Sequence, residues 1–169
     1  VEEPRPLGTG GALKYAEPLL GDRFLMLNGD VLTDLDLTAQ IEQHERTGAR
    51  ATLALTPVED PSAYGLVRTG RDGAVTEFVE KPAPDQIDTN NISAGAYVLE
   101  RSVLELLAPG EPASIERDVF PRLVGNGLYG YVGEGARVLV ERALGPSHCA
   151  RFEEGVGLFM EYYGDHLLD

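Results

Sequence analysis

The residues best placed for chemistry in this sequence follow a short apolar run. Residues 24–27, Phe-Leu-Met-Leu, lead directly into Asn28-Gly29-Asp30. The run is too short for a helix and ends in turn-forming residues, so it predicts a buried strand that ends in a turn. Ligands of open α/β sheets bind beyond the carboxyl ends of strands, and a carboxylate there can hold Mg²⁺ with a substrate phosphate. Asp30 is therefore a candidate metal ligand, although an aspartate can also simply close a turn.

A glycine-rich segment upstream is a second candidate for ligand contact. It reads Leu7-Gly8-Thr9-Gly10-Gly11-Ala12-Leu13, with three glycines within four residues. Glycine lets the backbone approach a ligand closely, and we predict a short helix over residues 12–17 immediately after it. The N–H groups at such a helix start can receive an acceptor on a base or a phosphate. A plain flexible turn is the alternative reading.

A predicted hairpin carries two charged residues to a third candidate position. Strands over residues 64–69 and 74–79, joined by a turn at 70–73, lead into Glu80-Lys81-Pro82. At the end of a strand, a carboxylate can accept hydrogen bonds from sugar hydroxyls and an ammonium can meet a phosphate. The alternative is an exposed, solvated pair. Residues 82–89 are predicted to form a mobile flap.

Other residues of the right chemical type have a structural interpretation. Asp34 and Asp36 are rivals to Asp30 as metal ligands, but they precede a predicted helix over residues 39–47, where capping is favoured. Leu37 and Ile41, four residues apart, are predicted to face the core. His148 and Cys149 are adjacent, yet no further ligands follow at zinc spacing, so they do not indicate a metal or nucleophile site.

The predicted elements alternate between strands and helices. Further strands are expected at residues 51–56, 128–132 and 138–140, and residues 90–99 are expected to begin as a turn and end as a strand. Further helices are expected at 101–107 and 115–124. This pattern predicts a single α/β domain, with a core over residues 1–132 and a C-terminal extension of the same domain over 133–169. The small side chains of residues 93–96 leave room for a ligand or for close packing.

Composition narrows the class of protein. The chain has 169 residues, of which 43% are hydrophobic, so it is long enough to bury a sizeable core. Its 28 acidic residues against 14 basic ones give a net charge of −14, which disfavours a nucleic-acid polymer but not a mononucleotide. A single cysteine, Cys149, fits a reducing compartment, and no apolar run approaches membrane-spanning length. We expect a soluble, cytoplasmic protein.

The candidate motifs occur in an order that resembles a known family. There are six, and in chain order they are Leu7-Gly8-Thr9-Gly10-Gly11-Ala12, Asn28-Gly29-Asp30, Tyr64-Gly65, Phe78-Val79-Glu80-Lys81-Pro82, Ile92-Ser93-Ala94-Gly95-Ala96-Tyr97 and Glu116-Arg117-Asp118-Val119-Phe120-Pro121. This succession resembles the sugar-1-phosphate nucleotidyltransferases, or NDP-sugar pyrophosphorylases, over residues 1–132. It is most similar to the mannose-1-phosphate guanylyltransferase and glucose-1-phosphate thymidylyltransferase branches.

The resemblance implies a fold and a reaction. The fold is a Rossmann-like three-layer α/β nucleotidyltransferase core with a mixed, mostly parallel sheet, here N-terminally incomplete. The reaction is nucleotidyl transfer from a nucleoside triphosphate to a sugar 1-phosphate, with Mg²⁺ as cofactor, which yields an NDP-sugar and pyrophosphate. The implied partners are these two substrates, with no nucleic-acid polymer and no membrane, and a homo-oligomer stays open.

The resemblance also implies roles for individual residues, which match the family's motif positions. The nucleotide would contact five of them: Leu7, Gly8, Thr9, Gly10 and Asn28. The sugar would contact Gly65, Glu80 and Ser93, the last standing where many members have Asn. Asp30 would bind Mg²⁺, and Lys81 would bind the sugar phosphate.

Two family features are missing from this sequence. One is the N-terminal glycine-rich loop whose Arg and Lys grip the triphosphate. The other is a second metal-binding aspartate in a Trp-x-Asp-x-Gly-Thr-Pro segment, since the chain has no Trp and Gly133-Glu134-Gly135-Ala136-Arg137 does not match. These differences motivate an alternative hypothesis, a non-catalytic regulatory subunit or inactive fragment that binds nucleotide sugars. An interaction module that kept only the fold is a third.

Overall fold

The computed structural model describes residues 3–29, 31–58, 61–62, 65–80, 82–133 and 138–140, with residues 31, 32, 80 and 138–140 as backbone only. The helices are α1 (Gly8–Ala16), α2 (Leu37–Thr47) and α3 (Phe120–Leu123), with 3-10 helices at Glu17–Leu19, Pro84–Gln86 and Arg101–Leu106 and a π-helical turn at Ile115–Val119. The strands are β1 (Arg23–Leu27), β2 (Val31–Thr33), β3 (Ala51–Pro57), β4 (Gly65–Thr69), β5 (Val75–Glu80), β6 (Asn91–Glu100), β7 (Leu128–Val132) and β8 (Val138–Val140).

The main sheet is built around β6, a strand of ten residues. Its order is β5-β4-β6-β3-β7, and β1 also pairs with β6. Strand β6 is antiparallel to β1, β3 and β4, and the β4–β5 hairpin is antiparallel as well, whereas β3 and β7 are parallel. Strands β2 and β8 form a separate antiparallel pair.

The prediction of a mostly parallel sheet is wrong, because β6 enters the middle of the sheet in the opposite direction. Strands β1, β3 and β7 do run the same way, as alternating strands and helices predict. Strand β6, however, lies between β1 and β3 and converts what would be a parallel pair into two antiparallel ones. The α/β class itself is confirmed, and the described sheet is mixed and mainly antiparallel.

Helices cover both faces of the main sheet. On one face, Leu53, Leu55 and Tyr97 pack against Val119 and Phe120 of the helical segment that ends in α3. The opposite face is lined by small residues, and α2 lies over it, as shown by the buried amide of Gln40 donating to the Thr52 carbonyl at 3.0 Å. The alternation of side chains along β3 and β6 supplies both faces, which gives a three-layer arrangement.

Strand β1 differs from the buried strand that its apolar residues predict. Its burial alternates, and Leu25 and Leu27 are 40% and 53% exposed. One edge of β1 pairs with β6, and among the described residues no strand pairs with the other edge. An apolar run therefore indicated a strand correctly, but its periodicity alone could not tell whether one face or both would be covered.

Two helices differ from their predictions, one in its start and one in its helix type. Helix α1 begins at Gly8 instead of Ala12, so the glycines form its first turn. The predicted helix over 115–124 begins as a π-helical turn, although Ser114 does cap it by accepting from the Arg117 N–H at 3.3 Å. Strand 138–140 is confirmed as β8.

Candidate active site

The centre of the candidate site is a short stretch of β6 where its pairing partner changes. Strand β3 occupies one edge of β6, so β1 and β4 share the other edge. Strand β1 ends with Leu27 opposite Ala96, and β4 begins just before Leu66, which lies opposite Ile92. Between Ala96 and Ile92, therefore, this edge of β6 passes from the end of β1 to the start of β4. Strand β1 ends here with its carboxyl end, and in open α/β sheets ligands bind beyond the carboxyl ends of strands.

Three of the residues assigned by resemblance border this stretch. The Asn28 N–H donates to the Gly95 carbonyl at 2.8 Å, which holds Asn28 directly after the end of β1. Gly65 precedes Leu66 in the antiparallel β4–β6 pair and therefore lies on the side of Ser93. The sheet thus places Asn28, Gly65 and Ser93 near one another, although they are distant along the chain.

The end of the hairpin reaches the same region. Glu80 is the last residue of β5 and pairs with Gly65, the first residue of β4. Only the backbone of Glu80 is described. The predicted catalytic residues Asp30 and Lys81 lie outside the described residues, and their roles stay predictions. Their chain neighbours are Gly29 and Glu80, so both follow elements that end at this site.

A hydrogen-bond network connects the site to the π-helical turn. Glu116 Oε1 accepts from the Tyr97 hydroxyl at 2.6 Å and from the Ser93 hydroxyl at 2.9 Å. The two hydroxyl oxygens are themselves 3.2 Å apart. The Ser93 hydroxyl, a predicted sugar contact, is therefore held by two residues that carried no predicted role.

The Tyr97 hydroxyl stays protonated in this environment. Burial raises the pKa of Tyr97 well above its usual 10.0, and the charge of Glu116 and the hydrogen bond to it act in the same direction. The side chain is fully buried against Phe120, with ring centroids 5.1 Å apart. Tyr97 is thus a fixed hydrogen-bond donor to Glu116 across the physiological pH range.

An open cavity of about 390 Å³ lies beside Asn28. Its walls include Thr9, Ala12 and Tyr15 from α1, together with Leu27, Asn28 and Gly29 from the end of β1. Most of the wall is apolar, with a few polar groups, which is the composition expected for a site that takes a planar organic ligand such as a base. The cavity brings the glycine-rich segment and the Asn28 turn, predicted separately to contact the nucleotide, to one place.

Comparison with known protein families identifies the chain. Residues 1–136 match the family model described as nucleotidyl transferase. The chain belongs to the nucleotidyl transferase family. The family resemblance predicted from the six motifs is therefore confirmed.

Curated relatives of this nucleotidyl transferase are sugar-1-phosphate enzymes. The chain is 41% identical over 136 residues to a mannose-1-phosphate guanylyltransferase of Mycobacterium tuberculosis, covering 78% of this chain and 37% of that protein. It is 37% identical over 129 residues to a UTP–glucose-1-phosphate uridylyltransferase of Synechocystis, covering 73% and 33%. The chain thus spans about a third of the length of these relatives.

A solved structure shows the same fold. HddC from Yersinia pseudotuberculosis aligns with a TM-score of 0.69 at 27% identity, over 90% of this chain and 64% of that one. The same protein complexed with GMP-PN aligns with a TM-score of 0.67 at 30% identity, over 83% and 59%.

In this nucleotidyl transferase the glycine-rich segment packs against the chain as well as facing the cavity. The N–H groups of Gly10 and Gly11 donate to the Ala113 carbonyl, at 2.8 and 3.3 Å. Gly8 has a φ of +69°, and a Cβ there would lie 2.7 Å from the same carbonyl oxygen. These glycines therefore allow a close approach of two backbone segments. Of this segment, Thr9, Ala12 and Leu13 line the cavity, and Thr9 is the one among them with a polar side chain.

Leu7 occupies a supporting position beside the candidate site. Its side chain is 1% exposed and belongs to the interior. Its N–H donates to Glu3 Oε2 at 3.0 Å, and its carbonyl accepts from the Ala113 N–H at 2.9 Å. The backbone of Leu7 is thus engaged within the protein, and its predicted nucleotide contact stays a prediction.

One of the two rival acidic residues, Asp36, and the 82–89 loop have structural roles. Asp36 caps α2, accepting from the Ala39 N–H at 2.9 Å, as predicted. The 82–89 segment contains the 3-10 helix Pro84–Gln86 and is tied to the hairpin by Arg68. In the described parts of the chain, no three His, Cys, Asp or Glu side chains are grouped closely enough to hold a metal ion. None of the described helices has the length and apolar character needed to span a bilayer.

Sequence reasoning gave no role in the site to Glu116 or Tyr97. Both residues lie in motifs that carry the family resemblance, but the resemblance assigned a role to neither of them. A signal was present, since Glu116 adjoins Ile115, an apolar residue of the predicted helix, close to its core-facing side. The partner of such a carboxylate cannot be read from the chain, because Ser93 is 23 residues away.

Proposed function

We propose that this chain transfers a nucleotidyl group from a nucleoside triphosphate to a sugar 1-phosphate, which gives an NDP-sugar and pyrophosphate. The observation that carries the proposal is the convergence of Asn28, Gly65 and Ser93 on one stretch of β6, beside the cavity that Thr9 and Asn28 line. Membership of the nucleotidyl transferase family supports the reaction class.

The reaction needs positioning and charge neutralisation more than covalent help from the protein. A phosphate oxygen of the sugar 1-phosphate attacks the α-phosphorus of the triphosphate, a P–O bond forms, and pyrophosphate leaves with the electron pair of the broken bond. Aligning the two anionic reactants removes most of the entropic part of the barrier. The proposed roles are therefore those of holding each reactant in line.

Each predicted residue has one task in this scheme. Lys81 meets the sugar phosphate, and Glu80 accepts hydrogen bonds from sugar hydroxyls. Gly65 and Ser93 contact the sugar beside them. The nucleotide lies along Thr9 and Asn28, in the cavity that both line.

Magnesium is the cofactor that this chemistry implies. Mg²⁺ is usually held by one or two carboxylates together with substrate phosphates, so a cage of three side chains is not required. Asp30 follows Gly29, which lines the cavity, and a single carboxylate there is the type of donor that Mg²⁺ takes. The ion would neutralise charge on the α-phosphate.

Mannose 1-phosphate and GTP are the substrate pair we propose to test first. Several relatives with about 40% identity are named as mannose-1-phosphate guanylyltransferases or guanyltransferases. The Synechocystis relative is named for UTP and glucose 1-phosphate, so these substrates are the natural comparison. A cytoplasmic location and a homo-oligomeric state stay predictions.

The direct test supplies the full chain with Mg²⁺, mannose 1-phosphate or glucose 1-phosphate, and each nucleoside triphosphate in turn, and measures released pyrophosphate. Asp30→Asn and Lys81→Ala should each reduce kcat/KM by at least about 100-fold, because each removes a charge that the transition state needs. The matched controls are Asp85→Asn and Arg71→Ala, which alter exposed side chains and should retain activity.

Two outcomes would count against the proposal. Unchanged turnover in both site variants would refute the assigned roles of Asp30 and Lys81. Binding of a nucleotide sugar in a calorimeter without any pyrophosphate release would favour the regulatory alternative instead.

A further inference from the structure

A single carboxylate oxygen of Glu116 accepts hydrogen bonds from two hydroxyl groups. The Ser93 and Tyr97 hydroxyls both donate to Oε1, at 2.9 and 2.6 Å. A hydroxyl has one proton and two lone pairs, and a carboxylate can only accept. Once both protons point to Glu116, neither Ser93 nor Tyr97 has a proton left for any other partner. The 3.2 Å contact between the two hydroxyl oxygens then carries no proton of its own.

From this geometry we propose that Glu116 is a positioning residue that makes Ser93 an acceptor only toward the sugar. The substrate group opposite Ser93 must then be a donor, which is a hydroxyl and not a carbonyl, an ether or a fluorine. Glu116 would contribute to specificity without touching the substrate. The inference rests on the proposed function, since it takes Ser93 to face the sugar 1-phosphate.

The experiment compares mannose 1-phosphate with its four singly deoxyfluorinated analogues at positions 2, 3, 4 and 6. Fluorine can accept weakly but cannot donate, so replacing the hydroxyl that meets Ser93 should raise Kd about 3- to 10-fold. The penalty at that position should disappear in Ser93→Ala. The proposal would be overturned if no position showed a fluorine penalty, or if Ser93→Ala left the penalty intact at every position that shows one.

Two substitutions of Glu116 separate positioning from simple support of the fold. Glu116→Gln keeps an oxygen that can accept both protons and should keep the fluorine penalty. Glu116→Leu has a similar size but no acceptor, so the Ser93 proton is free to point to the ligand. The Kd of the fluorinated analogue divided by that of mannose 1-phosphate should then fall to within about twofold of unity. A purely structural role would weaken all five ligands alike and leave the ratio unchanged. The matched control, Glu105→Leu, alters an exposed glutamate and should behave as wild type.

If no sugar 1-phosphate binds, that result counts against the proposed function. The hydrogen-bond network of Glu116 can still be tested by a measurement that needs no ligand. Proton NMR of the free protein should show slowly exchanging Ser93 and Tyr97 hydroxyl protons with contacts to the Glu116 side chain. Both signals should persist in Glu116→Gln and be lost in Glu116→Leu. A Ser93 proton that points to Tyr97, or that exchanges as fast in wild type as in Glu116→Leu, would overturn the inference.

Discussion

At the scale of single residues, His44 is a buried titratable group with a defined set of partners. Its side chain is 1% exposed, with Nδ1 2.8 Å from the Thr52 hydroxyl and Nε2 3.1 Å from Glu100. Glu100 also accepts from Arg23 at 2.7 Å. Since a carboxylate only accepts, the neutral ring carries its proton on Nε2 and accepts the Thr52 proton at Nδ1. This assignment satisfies both ring nitrogens and anchors α2 to β3 and β6.

Burial lowers the pKa of His44 below 6.5, in spite of the opposing hydrogen bond to Glu100, and Arg23 lowers it further. In Glu100, burial raises the carboxyl pKa, but the hydrogen bonds from Arg23 and His44 outweigh this and leave it below 4.5. The two groups therefore affect the stability of the fold in different pH ranges, His44 below 6.5 and Glu100 below 4.5. Protonating His44 is a cost to the folded state that the unfolded chain does not bear.

The free energy of unfolding should decrease as the pH falls below about 6.5. In that range the unfolded histidine binds a proton and the folded one resists it, so the unfolded state holds more protons and is favoured by acid. His44→Gln should lower stability at pH 7.5 by about 1–3 kcal/mol, through lost buried hydrogen bonds, but should flatten the change between pH 7.5 and 5.5. Urea unfolding at both pH values measures this. Parallel pH dependence in the two proteins would show that His44 does not cause it.

At the scale of elements, Arg68 ties a surface loop to the β4–β5 hairpin. Its guanidinium donates to Asp88 at 2.8 Å, to Glu77 at 2.6 Å and to the Gln86 carbonyl at 2.5 Å. The two carboxylates and these hydrogen bonds raise the pKa of Arg68, with the Asp88 hydrogen bond acting most strongly. The segment predicted as a free flap is thus held at two points after Lys81.

Releasing this clamp should loosen the loop without unfolding the sheet. Arg68→Met keeps the apolar stem and removes the guanidinium, so amide hydrogen exchange of residues 85–88 should accelerate about 3- to 10-fold, while β6 exchanges as before. Arg71→Met, in the exposed turn of the same hairpin, is the matched control. Unchanged exchange in Arg68→Met would mean that the loop is held by its own backbone.

Helix α2 shows how an element can be predicted correctly while its buried face is not. Its capping by Asp36 and its end at Gly48, with a φ of +61°, match the local sequence. Leu37 and Ile41 were expected to face the core. Leu37 is half-buried and does pack against the cluster of small residues on the sheet, and Ile41 is half-buried, but the fully buried residues of the helix are Gln40 and His44. Polar residues are buried there because the sheet offers partners, such as the Thr52 carbonyl to Gln40.

At the scale of the whole molecule, net charge and ligand binding oppose each other. A chain with a net charge of −14 repels a free polyphosphate, and a divalent cation reduces that repulsion. We therefore expect nucleotide binding to depend on Mg²⁺ as well as on the contacts of the cavity. Binding to the folded state alone also raises the apparent stability.

GTP with Mg²⁺ should stabilise the protein against thermal unfolding. At a free GTP concentration of 100 times Kd, the gain is about 2.7 kcal/mol, and it should be much smaller when EDTA removes the cation. Scanning fluorimetry across a GTP series measures this, with MgCl₂ alone and inorganic phosphate with MgCl₂ as controls. Equal stabilisation by phosphate and by GTP would show that the cavity does not recognise the nucleoside.

The sequence by itself determined the features that depend on neighbouring residues. These include most strands, the Asp36 cap, the hairpin turn, and the family to which the ordered motifs belong. Each reflects hydrogen bonding or steric preference within a few residues, or a motif carried intact in the chain. The family match therefore did not require the fold.

Tertiary structure alone decided the relative direction of the strands in the sheet and the direction of the hydrogen bonds in the site. Strand β6 runs against its three neighbours, and this places Asn28, Gly65 and Ser93 together. The same packing brings Glu116 to the Ser93 hydroxyl, so a side chain that could donate or accept in isolation is left to accept only. The physical reason is that a hydrogen bond between distant residues depends on which strands lie side by side, and local sequence does not encode that order.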